Sequence, residues 1–370
     1  MNSRFLASLA AIAALAFSAS TSAQLTIRDD LGRALILKKP ATRVVTLAPF
    51  LTEILFAAGA GDLAVGVDNL SDYPPQAFSV PKVPTGAGLS LERLATLKPD
   101  LVLAYRDGIR KEDIERIAAT GTTVFVASAH QLDDVPRLMR AVGTLTARDP
   151  VRAIAEFEAR IAKLRRDNAG KFKVTTFVEI WNRPLTTVSG EHFLTEALDI
   201  CRAENVFSEL KGVAPKVSLP ELEEKNPYVI VGAGSASSVG EFRSNWVKRQ
   251  SLGAVKGERL LFIPDETIAR PTPRTPEGIA KLCAELDNVR DGKVQRQVEL
   301  PAGAPGPGIA LKPSGLGAFV PSLSSPVSPP LPAAPTGANV PATAAPAPNA
   351  APPAVPAGDP PPKRPSQYGD

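Results

Sequence analysis

The sequence predicts an α/β protein of two Rossmann-like lobes, which one long rigid helix joins and a disordered Pro/Ala-rich tail follows. Short β-branched runs alternate with amphipathic stretches from Arg43 onward, the alternation restarts after residue 170, and the longest helical pattern lies between the two series. Strands that alternate with helices favour parallel sheets covered by helices. The predicted segments are a leader (1–23), an N-terminal lobe (24–148), a connecting helix (149–170), a C-terminal lobe (171–290) and a tail (291–370).

The first 23 residues have the anatomy of a secretory signal peptide. Arg4 precedes an uninterrupted apolar stretch from Phe5 to Phe17, and small residues then lead to Ala23, the expected cleavage site. The apolar stretch is shorter than the roughly 20 residues of a membrane-spanning helix. We therefore expect a soluble protein that is exported to the periplasm, rather than an anchored one.

The N-terminal lobe is predicted element by element from local periodicity. β-Branched runs predict strands at residues 43–47, 63–67, 101–105 and 124–126. Helical spacing of apolar residues predicts helices at 51–58, 91–97 and 114–120.

The connecting helix is predicted to begin at Asp149 and Pro150, because Asp suits the N-cap and Pro the first turn. Apolar residues then recur at helical spacing, Glu156 is placed to pair with Arg160, and residues 168–170 end the pattern. At 1.5 Å per residue the helix would be about 25 to 30 Å long. It is long enough to cross from one lobe to the other.

The C-terminal lobe is predicted to repeat the plan of the first lobe. Strands are expected at 173–180, 228–231 and 260–263, and helices at 193–203, 219–225 and 276–286. Residues 89–103 align without gaps on 217–231, and 51–55 resemble 194–198. Two matches in the same order indicate two similar lobes.

The amino-acid composition predicts the character of the tail and the kinds of partner that the protein binds. Of the 37 prolines, 20 lie between residues 301 and 365, so we expect a disordered spacer there, with a partner-binding role as the alternative. The formal net charge of +4 is too small to favour nucleic acid as the main partner. Cys201 and Cys283 are expected to pair in an oxidising compartment, although two buried thiols remain an alternative.

Catalytic signatures are nearly absent from the sequence. His130 and His192 have no acidic or Cys neighbour at ligand spacing, so we expect surface or loop histidines and no metal site. Gly232-Ala-Gly234 follows a predicted strand as in a dinucleotide-binding fold, but Ser237 replaces the third glycine and the residues after it are a poor helix start. An exported nucleotide-dependent oxidoreductase is therefore kept only as an alternative.

A cleft between the lobes is the predicted binding site. Open α/β sheets bind ligands at the carboxyl ends of their strands, and aromatic rings with a few cations suit a large amphipathic solute. Trp181 and Phe50 could instead be core residues. The candidate ligand-binding residues are Pro49, Phe50, Tyr73, Tyr105, Arg106, Trp181 and Arg183.

Several segments carry a resemblance to a known family: residues 43–53 (RVVTLAPFLTE), 71–77 (SDYPPQA), 91–102 (LERLATLKPDLV), 201–207 (CRAENVF) and the helix of Cys283. The chain resembles, from about 43 to 286, the helical-backbone metal-chelate class of periplasmic solute-binding proteins. These receptors feed cobalamin, haem or ferric siderophores to ABC importers, and the cobalamin-binding proteins are the most similar.

The resemblance implies a monomeric receptor, not an enzyme, that needs no cofactor and delivers a bulky metal chelate to a membrane permease. It implies a Cys201–Cys283 disulfide and a permease-docking role for Glu92 and for Glu221, which stands next to Pro220 at the family's second docking position. Cobalamin or a related corrinoid is the expected solute, with haem or a ferric siderophore as the alternative. Leu70, Gly86 and Ala214 stand where cobalamin binders carry stacking aromatics.

Overall fold

Two separate parallel sheets organise this protein, seen here in a computed structural model that describes residues 25–85, 88–234, 236–263 and 266–293. The predicted leader and the predicted tail beyond residue 293 lie outside these residues. The strands are β1 (Leu25–Arg28), β2 (Ala34–Leu37), β3 (Val44–Thr46), β4 (Ala64–Asp68), β5 (Lys82–Val83), β6 (Leu101–Tyr105), β7 (Thr123–Ala127), β8 (Val174–Glu179), β9 (Trp181–Asn182), β10 (Leu185–Thr186), β11 (Ala203–Asn205), β12 (Val229–Ala233) and β13 (Leu260–Ile263).

Helices cover the sheets, as the alternating pattern predicts. They are α1 (Pro49–Ala57), α2 (Leu91–Leu97), α3 (Lys111–Ala118), α4 (Asp134–Thr146), α5 (Val151–Asn168), α6 (Phe193–Ile200), α7 (Leu219–Lys225), α8 (Val239–Trp246), α9 (Gly253–Lys256) and α10 (Thr275–Arg290).

The N-terminal sheet has the order β5-β4-β3-β6-β7, and the C-terminal sheet has the order β11-β8-β12-β13. All their pairings are parallel. In each sheet the chain starts at an inner strand, builds to one side and then returns to the other side. Such a reversal creates a crevice at the carboxyl ends of the two central strands, β3 and β6 in one lobe and β8 and β12 in the other.

The internal repeat is confirmed in three dimensions. Helices α2 and α7 each have seven residues and a serine N-cap, Ser90 or Ser218, whose side chain accepts a hydrogen bond from the first turn. Each helix ends in a left-handed residue, Lys98 or Asn226, and each is followed by a five-residue buried strand. The two lobes therefore share the same helix–strand unit, and the matching sequences of residues 89–103 and 217–231 encode it.

Strand residues alternate between two apolar layers, as expected for strands covered on both faces. In β6, Leu101 and Leu103 face an inner core while Val102 faces an outer core that belongs to the N-terminal lobe. In β13, Leu261 faces the same inner core and Phe262 an outer core of the C-terminal lobe. One continuous core thus runs through both lobes.

This shared core bears on the predicted connection between the lobes. The long helix is present as α5, and its residues Ile154, Phe157 and Ile161 pack in the inner core. However, α1 and α4 on one side and α6 and α10 on the other contribute to that same core. The prediction of a single rigid helix as the joint is therefore not confirmed.

The predicted Glu156–Arg160 pair is wrong. Glu156 pairs with Arg152 one turn earlier, at 2.9 Å, and Arg160 reaches Glu277 of α10, also at 2.9 Å. Asp149 does lie at the start of α5, where its carboxylate accepts a hydrogen bond from the Val151 N–H at 2.9 Å.

Cys201 and Cys283 form the predicted disulfide. Cys201 follows α6, Cys283 lies in α10, and their Cα atoms are 4.8 Å apart across a sequence separation of 82. Both residues are buried in the inner core, so the bridge ties the first and last helices of the C-terminal lobe together from inside. Among the described residues, none of the helices has the length and apolar character of a bilayer span.

Candidate functional site

A pocket of about 350 Å³ opens at the carboxyl ends of β8 and β12. It is lined by residues 179–183 from the end of β8 onward, by residues 232–234 at the end of β12, by Phe262 of β13, and by Ser238, Glu241, Phe242 and Asn245 at α8. The pocket therefore lies at the crevice that the strand order of the C-terminal sheet creates.

Gly232 allows α8 to approach the sheet closely at this point. A Cβ on Gly232 would lie 2.7 Å from ring atoms of Phe242, closer than packed carbon atoms approach. Helix α8 itself was missed by sequence reasoning, which interpreted residues 237–240 as a poor helix start. Phe242 and Trp246 bury their rings in the outer C-terminal core, and this packing outweighs the weak local signal.

Trp181 supplies the exposed aromatic surface of the pocket. It begins the short hairpin of β9 and β10, and its indole N–H donates to the Arg183 carbonyl at 2.8 Å. Trp181 stays 37% exposed, so apolar area of its side chain is open at the pocket. Arg183 lies at the exposed turn of the same hairpin.

Glu179 is the half-buried acid of the pocket. It ends β8 opposite Gly232 of β12, and its carboxylate accepts a hydrogen bond from the Asn182 side-chain amide at 3.0 Å. Burial raises the pKa of Glu179, the Asn182 hydrogen bond and the positive charge of Arg249 oppose this, and the negative charge of Glu241 adds to it. Sequence reasoning missed Glu179, because a single acid at a strand end carries no motif.

The predicted N-terminal residues occupy the equivalent edge of their own sheet and do not line this pocket. Pro49 is half-buried at the start of α1, whereas Phe50 and Tyr105 are only 2% and 6% exposed and pack edge to face with ring centroids 5.3 Å apart. These two rings therefore belong to the inner core in this structure. Arg106 is exposed and donates to the Asp30 carbonyl at 3.4 Å.

A polar cluster lies just beyond Tyr105. The His130 Nε2 and an Asp107 carboxylate oxygen are 3.0 Å apart. This hydrogen bond raises the pKa of His130 and lowers that of Asp107. Burial raises the pKa of the Tyr105 phenol. His130 lies in a loop, as expected, and is half-buried. Its acidic partner Asp107 is 23 positions away in the sequence and adjacent in space, so sequence spacing did not reveal it.

His192 is not a surface residue. It is 2% exposed, and its Nδ1 accepts the Leu194 N–H at 3.1 Å, which caps α6. Burial, together with the nearby charge of His130, lowers the pKa of His192 to about 3. The imidazole is therefore neutral and structural.

An ion pair that sequence reasoning missed connects the lobes. Arg274, just before α10, donates to both carboxylate oxygens of Glu53 in α1, at 2.8 and 2.7 Å. Its guanidinium also lies 3.8 Å from the ring centroid of Tyr73, which is otherwise 39% exposed. Arg270 approaches Asp72 at 3.6 Å. Tyr73 is thus held at the boundary of the two lobes.

The remaining predicted positions have different surroundings. Leu70 is 49% exposed, Ala214 packs against the inner core, and Gly86 lies outside the described residues. Glu92 is exposed at the second residue of α2. Pro220 takes the same place in α7, and Glu221 follows it.

The Glu221 carboxylate is occupied by its own helix. It accepts hydrogen bonds from the Ser218 N–H at 2.6 Å and from the Ser218 hydroxyl at 2.7 Å, while the Glu221 N–H donates to that hydroxyl. The hydrogen bond from the Ser218 side chain lowers the pKa of Glu221, and the hydrogen bond from the Ser218 backbone N–H lowers this pKa further. This capping box distinguishes Glu221 from Glu92.

Within the described part of the chain, no group of three or more His, Cys, Asp or Glu side chains is placed to hold a metal ion. The pocket instead combines the aromatic residues Trp181, Phe242 and Phe262 with amides, carboxylates and one guanidinium. Such a lining can hold an organic molecule by contact and hydrogen bonding.

Comparison with known proteins gives consistent matches. The profile of the periplasmic binding protein family matches residues 44–266. The vitamin B12-binding protein of Vibrio cholerae is 30% identical over 249 residues, which are 67% of this chain and 90% of that protein. That of Pectobacterium carotovorum is 29% identical over 255 residues, which are 68% of this chain and 90% of that protein.

Solved structures agree in fold. The periplasmic vitamin B12 binding protein BtuF of Vibrio cholerae superposes with a TM-score of 0.60 at 29% identity, covering 68% of this chain and 98% of that one. The periplasmic heme-binding protein RhuT of Roseiflexus gives a TM-score of 0.58 at 20% identity, covering 68% of this chain and 99% of that one. At the latter identity the likeness shows the fold alone.

Proposed function

The chain belongs to the periplasmic binding protein family and is a binding protein rather than an enzyme, and we propose its function on that basis. The proposal is that it captures a bulky metal chelate, with cobalamin or a related corrinoid as the best candidate, and delivers it to an ABC permease. The observation that carries it is the 30% identity to a vitamin B12-binding protein over 67% of this chain. The predicted export of the chain fits this role.

The pocket beside Trp181 is where we propose that part of the solute binds. Its position at the crevice of the sheet is the usual place for a ligand in this architecture. Leu70, Gly86 and Ala214 provide no aromatic ring at the three family positions. Trp181 offers a flat apolar surface in the pocket, and we propose that it takes over the stacking role.

Replacing Trp181 by Ala is expected to weaken cyanocobalamin binding about tenfold, or about 1.4 kcal/mol. The reason is that the indole contributes apolar contact and dispersion in the pocket. Isothermal titration calorimetry on the purified protein measures the effect, with haem and a ferric hydroxamate titrated in parallel. Phe172→Ala is the matched control, because Phe172 is an exposed ring outside the pocket.

Equal affinity of the wild type and the Trp181 variant would remove the indole from the solute site. If haem or the hydroxamate binds more tightly than cyanocobalamin, that solute and not a corrinoid is the ligand of this protein.

We also propose that Glu92 is the principal docking acid for the permease. Its carboxylate is exposed and forms no hydrogen bond or ion pair with any residue that the structure describes, whereas that of Glu221 is engaged with Ser218. The resemblance in sequence that assigns the docking role therefore applies more directly to Glu92. Glu221 could act only by giving up its cap.

Glu92→Ala is expected to lower solute uptake into cells at least about tenfold while leaving the affinity of the purified protein unchanged. Uptake of labelled cobalamin in a strain that depends on this receptor measures the effect. Glu112→Ala serves as control, since Glu112 is also an exposed acid in the first turn of a helix in the same lobe. Normal uptake with the Glu92 variant would refute the docking role.

A further inference from the structure

The charges of the pocket bear on which chelates it accepts, and this inference rests on the proposed function. Two carboxylates, Glu179 and Glu241, and one guanidinium, Arg183, line it. None of the three forms an ion pair with another residue in the described ranges of the chain. The side chains that line the pocket thus carry a net negative formal charge. The positive charge of Arg249 nearby offsets part of the charge of Glu179.

The amides complete the polar surface. Asn182 donates to Glu179 at 3.0 Å, and Asn245 of α8 also lines the pocket. A primary amide of a ligand can donate its N–H groups to a carboxylate and accept from an asparagine or arginine at the same time. A ligand carboxylate can only accept, and would meet Glu179 and Glu241 with its own negative charge.

The size of the pocket restricts what enters it. Its volume of about 350 Å³ is near the lower end of the range for small-molecule sites. A macrocyclic chelate with all its substituents is larger than this, so the pocket fits a substituent at the edge of the macrocycle while the ring rests on Trp181. The groups that touch Glu179 and Glu241 are then the peripheral side chains of the solute.

We propose that this pocket selects chelates with uncharged, amide-bearing peripheral groups over chelates with carboxylate-bearing ones, and that Glu179 and Glu241 determine this specificity. Repulsion between like charges discriminates because one charge is half-buried, where water screens it less than at the open surface. Arg183 lies at an exposed hairpin turn and compensates only one of the two acids.

The test uses two ligands that differ only in this property: cyanocobalamin and a monocarboxylic acid made from it by hydrolysing one peripheral propionamide. The calorimetric titration is carried out at pH 8, because this pH favours the ionised form of Glu179. The wild type is expected to bind the amide ligand about tenfold more tightly than the acid. Glu179→Gln and Glu241→Gln are each expected to reduce that ratio to about threefold or less, mainly by strengthening binding of the acid.

Glu224→Gln is the matched control, because Glu224 is exposed on α7 and outside the pocket. Glu241 is exposed, so its substitution should not disturb folding. The Glu241 variant therefore still tests the inference if the Glu179 variant does not fold. A wild type that binds both ligands equally, or a ratio that neither pocket variant changes, overturns this inference while the corrinoid function stands. Absence of binding to either ligand overturns the proposed function, and this inference with it.

Discussion

Replacing both cysteines, Cys201→Ala with Cys283→Ala, is expected to lower the free energy of unfolding by about 4.5 kcal/mol. The bridge closes a loop across a sequence separation of 82, and the chain-entropy model gives this stabilisation for a loop of that length. The effect acts on the unfolded chain, which becomes less restricted without the bridge. The pocket residues are untouched, so solute affinity at low temperature should remain.

Guanidinium unfolding followed by circular dichroism measures this loss. The wild type in reducing agent is the matched control: its stability should fall to that of the double variant, and the double variant should not respond to the reductant. A loss below about 1 kcal/mol would mean that the bridge adds little to a core that already holds Cys201 and Cys283 in place.

Arg274→Ala is expected to cost about 3 to 5 kcal/mol of stability. Glu53 is 3% exposed, and Arg274 donates to both of its oxygens, so the substitution leaves an uncompensated charge in the interior. Tyr73 also loses the guanidinium that lies over its ring. The penalty comes from the burial of the remaining acid more than from the net value of the pair.

Removing both charges together separates these contributions. Glu53→Gln with Arg274→Met removes both charges, and is expected to be more stable than Arg274→Ala alone. Arg148→Ala is the matched control, because its 2.6 Å pair with Asp62 joins two half-exposed side chains and should contribute less than about 1 kcal/mol. If Arg274→Ala and Arg148→Ala lower the free energy of unfolding equally, the Arg274–Glu53 ion pair behaves as a surface pair.

Elements with complete local signals were predicted from sequence to the residue. Helices α2 and α7 and strands β6 and β13 have the predicted bounds, since a serine cap, a left-handed end or an unbroken apolar run fixes each of them. Helix α4 was missed although Leu138, Met139, Val142 and Leu145 recur at helical spacing, so in this case the signal was present in the sequence.

Contacts between distant segments could not be predicted from one sequence. Glu53 and Arg274 are 221 positions apart, and nothing local marks either as the partner of the other. An acid among apolar residues of a short helix does indicate that a cation must lie nearby, and this is the signal that could have found the pair. The burial of Phe50 and Tyr105 likewise depends on the packing of α1 against β6, which local periodicity does not specify.

The core that both lobes share affects how such a chain can mature after export. Ile54 and Leu55 near its beginning pack in the same apolar layer as Leu282 and Leu286 near the end of its described part. A chain that crosses a membrane unfolded, N-terminus first, would keep the apolar face of its leading half uncovered until the trailing helix arrives. Protection against premature aggregation would therefore be needed for almost the whole passage, since neither half can finish folding while the other is in transit.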